Sequence, residues 1–282
     1  MKIKMAVFFL VAIQFCANGQ NFRRHILFLA SESMQGRAPA TLYERKAADY
    51  IHSQFVSGNC YPVLMQKFSF GLDSAINVVA MLDYKKDSTI IIGAHYDHLG
   101  EDPTKSMEIN RYGIHPGADD NASGVAMMLE LMYGIAHTQK WRYNFVFVGY
   151  SAHEAGLFGS DFFSRSNFCS NLKIRAVINF DMVGRLNQVN PTVRVSGAET
   201  DNKILNYFNS LSDGDVNFRF DDSNILISDL KSFAEMSIPV LNLTTGIHSD
   251  YHKMSDTEDK INYEGMDIIF KFSMQMLEIF KA

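Results

Sequence analysis

Short apolar segments that end in histidine, aspartate or glutamate are the feature that most restricts how this chain can fold. There are four such segments, and the polar residues that follow them are His95 and Asp97 after Ile90–Ile92, His153 and Glu154 after Tyr143–Tyr150, Asp181 after Ile174–Phe180, and His248, Asp250 and His252 after Val240–Thr244. Short apolar runs are typical of buried strands, and ligands bind beyond the carboxyl ends of parallel strands in open α/β sheets. We therefore expect these polar residues to meet along one edge of one sheet.

Strands and helices are predicted to alternate along the chain, without a repeat or a low-complexity tract. The predicted strands are Val63–Phe70, Ile76–Leu82, Thr89–Ala94, 143–150, 174–180, Thr192–Ser196, part of Asp215–Asp222, and Pro239–Leu243. The predicted helices are Phe22–Leu29, Thr41–Ser57, Asn121–Ile135, Leu157–Ser164, Asp201–Leu211, Leu230–Met236 and Asn262–Ala282. This alternation predicts an α/β fold, and the polar segment Glu101–Pro116 is expected to form a wall of the substrate pocket.

The first 19 residues are typical of a secretory signal peptide. A basic start, Met1–Lys4, precedes the apolar segment Met5–Phe15 and a small-x-small site at Ala17–Gly19. We predict cleavage after Gly19, which leaves residues 20–282 as the catalytic domain in the periplasm or outside the cell. A lipoprotein signal that uses Cys16 is the alternative. The apolar segment is too short to span a bilayer, and no other segment is a candidate for membrane insertion.

The composition agrees with an ordinary soluble enzyme. The chain has 282 residues, of which 47% are hydrophobic and 20% charged, and its net charge is −5. This composition gives no indication of a concentrated basic surface, which argues against nucleic acid as a partner. After signal removal, Cys60 and Cys169 remain. An oxidising compartment permits a disulfide, but the pairing needs suitable Cα geometry, so we expect two unpaired thiols.

The predicted sheet edge collects more acidic and imidazole side chains than a protein can hold together without cations, because adjacent carboxylates repel each other. Mixed sets of His, Asp and Glu suit Zn²⁺. In a set of two histidines and three carboxylates, three negative charges would face the four positive charges of two zinc ions. A bound hydroxide would then make the cluster neutral near pH 7. The residues at this edge are His95, Asp97, Asp119, Asp120, His153, Glu154, Asp181, His248, Asp250, His252 and Asp256.

Five ordered motifs carry a resemblance to a known family. They are Gly93–Asp97 (GAHYD), Gly117–Gly124 (GADDNASG), His153–Ser160 (HEAGLFGS), Asn179–Met182 (NFDM) and Asp250–Thr257 (DYHKMSDT). They closely resemble the bacterial leucyl-aminopeptidase type of di-zinc peptidases, a family that also contains glutamate carboxypeptidase II and, more distantly, glutaminyl cyclases. The resemblance runs from about residue 24 to the end of the chain. It implies the zinc-peptidase (phosphorylase/hydrolase-like) fold, a single three-layer α/β domain with a mixed, mostly parallel central sheet and helices on both faces.

The resemblance also implies two zinc ions per chain and peptide substrates, from which a metal-bound hydroxide removes N-terminal residues. One ion would be held by His95 and Asp181 and the other by Glu154 and His252. Asp120 would bridge the two ions, because it directly precedes Asn121 in the motif. No protease-associated or lid domain is expected, since only 24 residues separate His95 from Asp120.

Further roles follow from the same resemblance. Asp97 would accept a hydrogen bond from His95 and fix its tautomer. Tyr251 would polarise the scissile carbonyl, or it would simply pack beside a ligand. His98 and His248 are expected to line the pocket. Leu230, within Ser228–Phe233, stands where relatives often have histidine and is expected to alter the pocket but not the metal site.

One position departs from the family pattern. The family has two adjacent glutamates, of which the first is the general base, and this chain has His153 there, before Glu154. Two nearby cations would lower the pKa of His153. Either neutral His153 acts as the general base, since imidazole is a competent base near pH 7, or hydrolysis is weak. The missing glutamate also leaves aminopeptidase selectivity open, because it helps to hold the substrate's ammonium group in the family.

Three alternatives remain open from the residues. A serine hydrolase would use Gly149–His153, although the nucleophile elbow requires glycine where this chain has His153. A glutaminyl-cyclase-like acyltransferase on the same fold would use one zinc ion. A catalytically impaired homologue would bind peptides without cleaving them.

Overall fold

The computed structural model describes residues 18–108, 111–138, 141–197, 206–208, 210 and 216–279, with side chains from Asn21 onwards except at 222–224 and 279. Residues 1–17 of the predicted signal peptide lie outside the described residues, as does most of the predicted helix Asp201–Leu211. No helix in the described part of the chain is long and apolar enough to cross a membrane.

Eight strands form one sheet in the order β1-β2-β4-β3-β5-β8-β6-β7. The central strands β4, β3, β5 and β8 are mutually parallel, while the β1–β2, β2–β4 and β8–β6 pairs are antiparallel. The predicted mixed and mostly parallel sheet is therefore confirmed. Its strands are β1 (Val63–Phe70), β2 (Asp73–Leu82), β3 (Thr89–His95), β4 (Asn144–Tyr150), β5 (Ile174–Phe180), β6 (Thr192–Ser196), β7 (Asn217–Phe220) and β8 (Val240–Thr244).

Helices cover both faces of the sheet, and the side chains of each central strand alternate between two cores. On β3, Ile90 and Ile92 pack in the larger core, whereas Ile91 packs in the smaller one with Phe163 and Phe233. Since both faces are covered, the central strands are apolar throughout rather than alternating in polarity. The helices are α1 (Asn18–Leu29), α2 (Leu42–Ser57), α3 (Gly124–Ala136), α4 (Phe158–Ser164), α5 (Asn167–Ser170), α6 (Lys231–Glu235) and α7 (Tyr263–Ile279).

The start of α3 differs from the prediction. The helix begins at Gly124 rather than at Asn121, because Asp120 and Asn121 have non-helical backbone angles within the turn Ala118–Ser123. The side chain of Asn121 accepts from the N–H group of Gly124 at the start of the helix and also bonds to another segment. The Asn121 amide donates to the carbonyl oxygen of Phe180 and accepts from the backbone of Met182, both at 3.0 Å. The turn is thereby fixed against the end of β5.

A fully buried arginine holds together three segments behind the carboxyl edge of the sheet. Arg37 donates to the carbonyl oxygens of Leu29, Tyr96, Pro116 and Gly117, and its side chain is 0% exposed. These carbonyls belong to the end of α1, the segment after β3 and the approach to the turn Ala118–Ser123. A guanidinium group offers five donors in a fixed plane, so one side chain satisfies acceptors that water does not reach.

Replacing this arginine with an apolar side chain is expected to destabilise the fold strongly. Arg37→Met leaves the carbonyl groups of Leu29, Tyr96 and Pro116 without their donor, while that of Gly117 keeps the N–H of Ala122. Each buried unsatisfied group costs about 1–3 kcal/mol. We expect the free energy of unfolding to fall by at least about 3 kcal/mol in urea denaturation. Arg165→Met is the control: its ion pair with Asp161 is exposed, so it should cost less than about 1 kcal/mol. Equal losses in the two variants would contradict this account of Arg37.

Candidate active site

The carboxyl ends of the four parallel central strands bring the predicted residues together. β3 ends at His95, β5 is followed directly by Asp181, and β4 leads within four residues to Glu154. His252 arrives from the loop that follows β8. The turn between Gly117 and α3 adds Asp120 to the same edge.

Ligand-type atoms at this edge form two triplets that share the carboxylate of Asp120. Its Oδ1 lies 3.4 Å from His95 Nε2, which is also 3.4 Å from Asp181 Oδ1. Its Oδ2 lies 3.3 Å from His252 Nε2, which is also 3.3 Å from Glu154 Oε2. Bonds of about 2.0–2.1 Å at tetrahedral angles would place neighbouring zinc ligands about 3.3–3.4 Å apart. These four distances, each from a histidine nitrogen to a carboxylate oxygen, are compatible with one metal ion in each triplet.

Both histidines direct an unpaired nitrogen at these positions. The Nε2 atoms of His95 and His252 are buried and have no hydrogen-bond partner among the described residues. Their Nδ1 atoms donate to main-chain carbonyl oxygens, at 3.2 Å to Asp97 and at 3.1 Å to Lys105. Because Nδ1 carries the proton, each Nε2 lone pair is available to a cation.

Two expectations for the surroundings of these histidines need correction. The acceptor for His95 is the main-chain oxygen of Asp97, and the nearer carboxylate oxygen is 3.8 Å from His95 Nδ1. The Asp97 carboxylate instead accepts from the backbone N–H groups of His153 and Glu154, at 3.1 and 3.3 Å. The described residues of the segment Glu101–Pro116 do not line the cavity, because Lys105 and its neighbours pack behind His252.

The shared carboxylate is fixed by a second aspartate. Asp256 Oδ2 accepts from the backbone N–H groups of both Asp119 and Asp120, at 2.9 and 3.0 Å. This contact joins the loop that carries His252 to the turn that carries Asp120. The two halves of the site are therefore held at a fixed separation.

The electrostatics show that these carboxylates need positive partners. Burial raises the pKa of Asp120, but the adjacent imidazoles of His252 and His95 outweigh burial and hold that pKa well below its ordinary value. Burial also lowers the pKa of His252, but Asp120 and Glu154 outweigh burial and raise that pKa to about 10. Among the protein's own groups, protonated imidazoles thus balance the carboxylates. Bound cations would do the same without those protons.

His153 lies against the site and is paired with a carboxylate that sequence analysis missed. Its ring stacks on His95 with the centroids 3.8 Å apart, and its Nδ1 is 2.9 Å from Asp229 Oδ2. Burial and His95 lower the pKa of His153, but Asp229 outweighs them and raises it to about 9. Because the carboxylate accepts the Nδ1 proton, the other ring nitrogen, Nε2, is left for the cavity.

Asp229 precedes α6 and has a fully buried side chain. It follows an apolar segment, as several carboxylates of this chain do, and no motif in the sequence distinguishes it. Only the packing of α6 on the sheet places it beside His153. The neighbouring Leu230 is buried in the smaller core and is not among the residues that line the cavity.

A cavity of about 260 Å³ opens at this edge of the sheet, and its lining includes Asp120, His153, Glu154, Asp181 and Tyr251. Burial raises the pKa of Tyr251, as do the nearby carboxylates, so its hydroxyl stays protonated. Its ring stacks on His252 with the centroids 3.9 Å apart.

The other two histidines expected in the pocket are not among the residues that line it. His98 is fully buried, and its Nδ1 lies 3.1 Å from Glu154 Oε1. His248 faces away from the cavity, with its Nε2 3.2 Å from Asp119 Oδ2. Both histidines therefore contact carboxylates of the site region without lining the cavity. They support the site and do not face a substrate.

Residues 77–277 match the sequence profile of peptidase family M28. The protein YfbL of Escherichia coli K12 is 26% identical over 257 residues, which cover 78% of this chain and 76% of YfbL. A probable leucine aminopeptidase of Trichophyton verrucosum is 29% identical over 183 residues, which cover 63% of this chain but only 45% of the fungal protein.

The fold is also similar to that of a solved structure. The LapA aminopeptidase of Legionella pneumophila superposes with a TM-score of 0.76 at 23% identity, over 96% of this chain and 74% of LapA. The profile match extends from β2 to α7, so it includes every strand that contributes to the site. The chain therefore belongs to peptidase family M28, which confirms the prediction of a metallopeptidase of the zinc aminopeptidase type.

Proposed function

We propose that this protein is an aminopeptidase that binds two zinc ions per chain and removes N-terminal residues from peptides. The observation that carries the proposal is the pair of triplets sharing Asp120, with ligand-type atoms 3.3–3.4 Å apart. In the proposed site, His95 and Asp181 hold one ion and Glu154 and His252 the other.

The residues present fit this metal. Zinc takes imidazole nitrogen and carboxylate oxygen in tetrahedral sites that keep a position open for water or substrate. The unpaired Nε2 atoms of His95 and His252 are the donors such ions require. When bound, zinc supplies Lewis acidity, which polarises a carbonyl group and lowers the pKa of water to near 7.

His153 is proposed as the general base in place of the family's glutamate. Its Nε2, on the side of the ring opposite to Asp229, takes a proton from the attacking water and passes it to the leaving amine. Asp229 acts as a positioning residue: it accepts the Nδ1 proton and fixes the plane of the ring. Bound cations would lower the pKa of His153 from the raised value that Asp229 gives it, which would leave the basic lone pair on Nε2. The stacked ring of His95 restrains the same plane from one side.

Tyr251 is proposed to donate its hydroxyl proton in a hydrogen bond to the scissile carbonyl oxygen. The tyrosine lines the cavity, and its raised pKa keeps the donor protonated. A neutral donor aimed at the oxygen where negative charge develops stabilises the transition state more than the ground state. The aromatic ring is held by His252, so little reorganisation is needed.

Export to the periplasm or to the medium is part of the proposal. It is supported by the basic start, apolar segment and small-x-small site within residues 1–19. N-terminal sequencing of the mature protein from cell fractions tests it, with Gln20 as the expected first residue.

Metal removal should abolish activity and weaken the fold together. A chelator should leave the clustered carboxylates without cations, so we expect a lower midpoint of thermal unfolding as well as loss of aminoacyl-amide hydrolysis. Zinc should restore both. Elemental analysis should give about two zinc ions per chain, and about one in His252→Ala. A full complement in His252→Ala would contradict the assignment.

His153→Ala should lower kcat by about 10²–10⁴-fold, the usual effect of a positioned general base, with zinc content unchanged. His153→Glu restores the family's base and should retain activity. Unchanged kcat in His153→Ala would remove His153 from the mechanism. His52→Ala, at a half-buried histidine on α2 outside the site, is the matched control.

Asp229→Asn should lower kcat by about 10²–10⁴-fold while KM and zinc content stay constant, because an amide no longer enforces the Nδ1–H tautomer. In a His153→Glu background, the same substitution should raise activity by removing a repelling carboxylate. A merely structural role would give equal losses in both backgrounds. Asp83→Asn, at an exposed ion pair, serves as the control.

The same experiments separate the alternatives. A cyclase would hold about one zinc ion and release ammonia from N-terminal glutaminyl peptides without cleaving a peptide bond. A peptide-binding homologue would cleave no aminoacyl amide when loaded with zinc. The shared carboxylate of Asp120, flanked by both histidines, is what favours the peptidase.

A further inference from the structure

An arginine on the wall of the active-site cavity has no negative partner. Arg194 lies on β6 and lines the same cavity as Asp120, His153 and Asp181. It makes no ion pair or side-chain hydrogen bond with any residue that the structure describes. By contrast, Arg185, also near the site, lies 3.0 Å from Asp250.

The register of the sheet explains why Arg194 points into the cavity. Its neighbours Val193 and Val195 are buried in the larger core, so Arg194 lies on the opposite face of β6. Thr244 of β8 is directly opposite it in the antiparallel pair. Asn242, two residues before Thr244, shares that face, and both residues line the cavity.

A second cation lies beside Arg194 on the same face. β6 and β7 are parallel, and Arg194 is in register with Arg219. Arg219 likewise makes no ion pair with a described residue. Like charges on directly paired residues destabilise a sheet. A bound anion would offset the repulsion between the two arginines, and neither strand supplies one.

Asn242 adds a neutral donor to this wall. Its Oδ1 accepts from Asn179 Nδ2 at 3.0 Å, and its own Nδ2 has no acceptor within the described part of the chain. The guanidinium group of Arg194 offers a planar fork of donors that matches a carboxylate in bidentate geometry. The wall formed by β6 and β8 is thus suited to a carboxylate, and the lining of the same cavity includes the proposed zinc ligands Asp120, Glu154 and Asp181.

We infer that the preferred substrates carry a carboxylate group that binds Arg194 while the scissile bond lies at the metal site. This inference rests on the proposed aminopeptidase function and names its substrate class. The carboxylate comes from one of two sources: the side chain of an N-terminal Asp or Glu residue, or the C-terminus of a dipeptide. The cavity, at about 260 Å³, is just below the common range of about 300–1,000 Å³ for small-molecule pockets, which favours short substrates.

Four probes separate the two sources, each assayed with the zinc-loaded full chain. Leu-Ala amide has no carboxylate, Leu-Ala has only the C-terminal one, Glu-Ala amide has only the side-chain one, and Gln-Ala amide is the neutral match for the latter. We expect kcat/KM for one carboxylate probe to exceed that of its neutral match by about 10- to 100-fold. Arg194→Gln should abolish that preference and leave Leu-Ala amide within about twofold.

Arg194→Lys should recover part of the preference, because it keeps the charge but loses the fork. Arg165→Gln, at a surface ion pair, should behave as wild type. The unchanged rate on Leu-Ala amide also shows that the Arg194 variants are folded. Equal rates for both matched pairs in the wild type, or equal losses on all four probes in Arg194→Gln, would overturn the inference.

Failure of the proposed function is distinguishable from failure of this inference. If no probe is cleaved, the aminopeptidase proposal fails, and titration calorimetry with the same uncleaved probes then measures binding directly. Tighter binding of a carboxylate probe than of its neutral match, lost in Arg194→Gln, supports the inference. Equal affinities overturn it.

Discussion

The mutual repulsion of three clustered carboxylates, the buried Asp120 and the partly buried Glu154 and Asp181, is the constraint around which the carboxyl edge of the sheet is built. Each has an imidazole nitrogen at 3.1–3.4 Å, and the pKa of Asp120 is held low by these contacts against the effect of burial. Every other feature of the edge limits how far these groups can separate. Main-chain oxygens fix the histidine tautomers, Asp256 fixes the Asp120 turn, and Arg37 fixes the segments behind both.

Much of this edge can be predicted from the sequence, because the patterns that indicate it lie within short segments of the chain. Apolar segments identify β3, β4, β5 and β8, and a polar residue at the end of a parallel strand lies at the carboxyl edge whatever the other contacts are. The bounds of β1, β5 and β6 agree with the predictions. The five proposed zinc ligands follow from the same reasoning combined with the family motifs.

What could not be predicted depends on tertiary contacts. Asp229 meets His153 only because the fold brings the residues before α6 to the segment after β4, and Arg194 reaches the cavity only through the register of β6 on β8. Neither residue belongs to a motif. The errors at Asp97, His98 and His248 have the same origin: proximity in sequence indicated that each lies near the site but not which atom faces which partner. The start of α3 was misplaced because the backbone of Asn121 is non-helical, and its side chain bonds to Phe180 and Met182 across the fold as well as to Gly124.

The contact of Asp256 with the backbone of Asp119 and Asp120 bridges well over one hundred positions of sequence. As ribosomes add residues in order, the carboxylate shared by both triplets has its final anchor only after that late loop has emerged. His252 arrives with the same loop. A nascent chain that ends before this loop therefore lacks His252 from the second triplet and lacks the contact that fixes Asp120 in both triplets. The site can become active only after the loop has been synthesised.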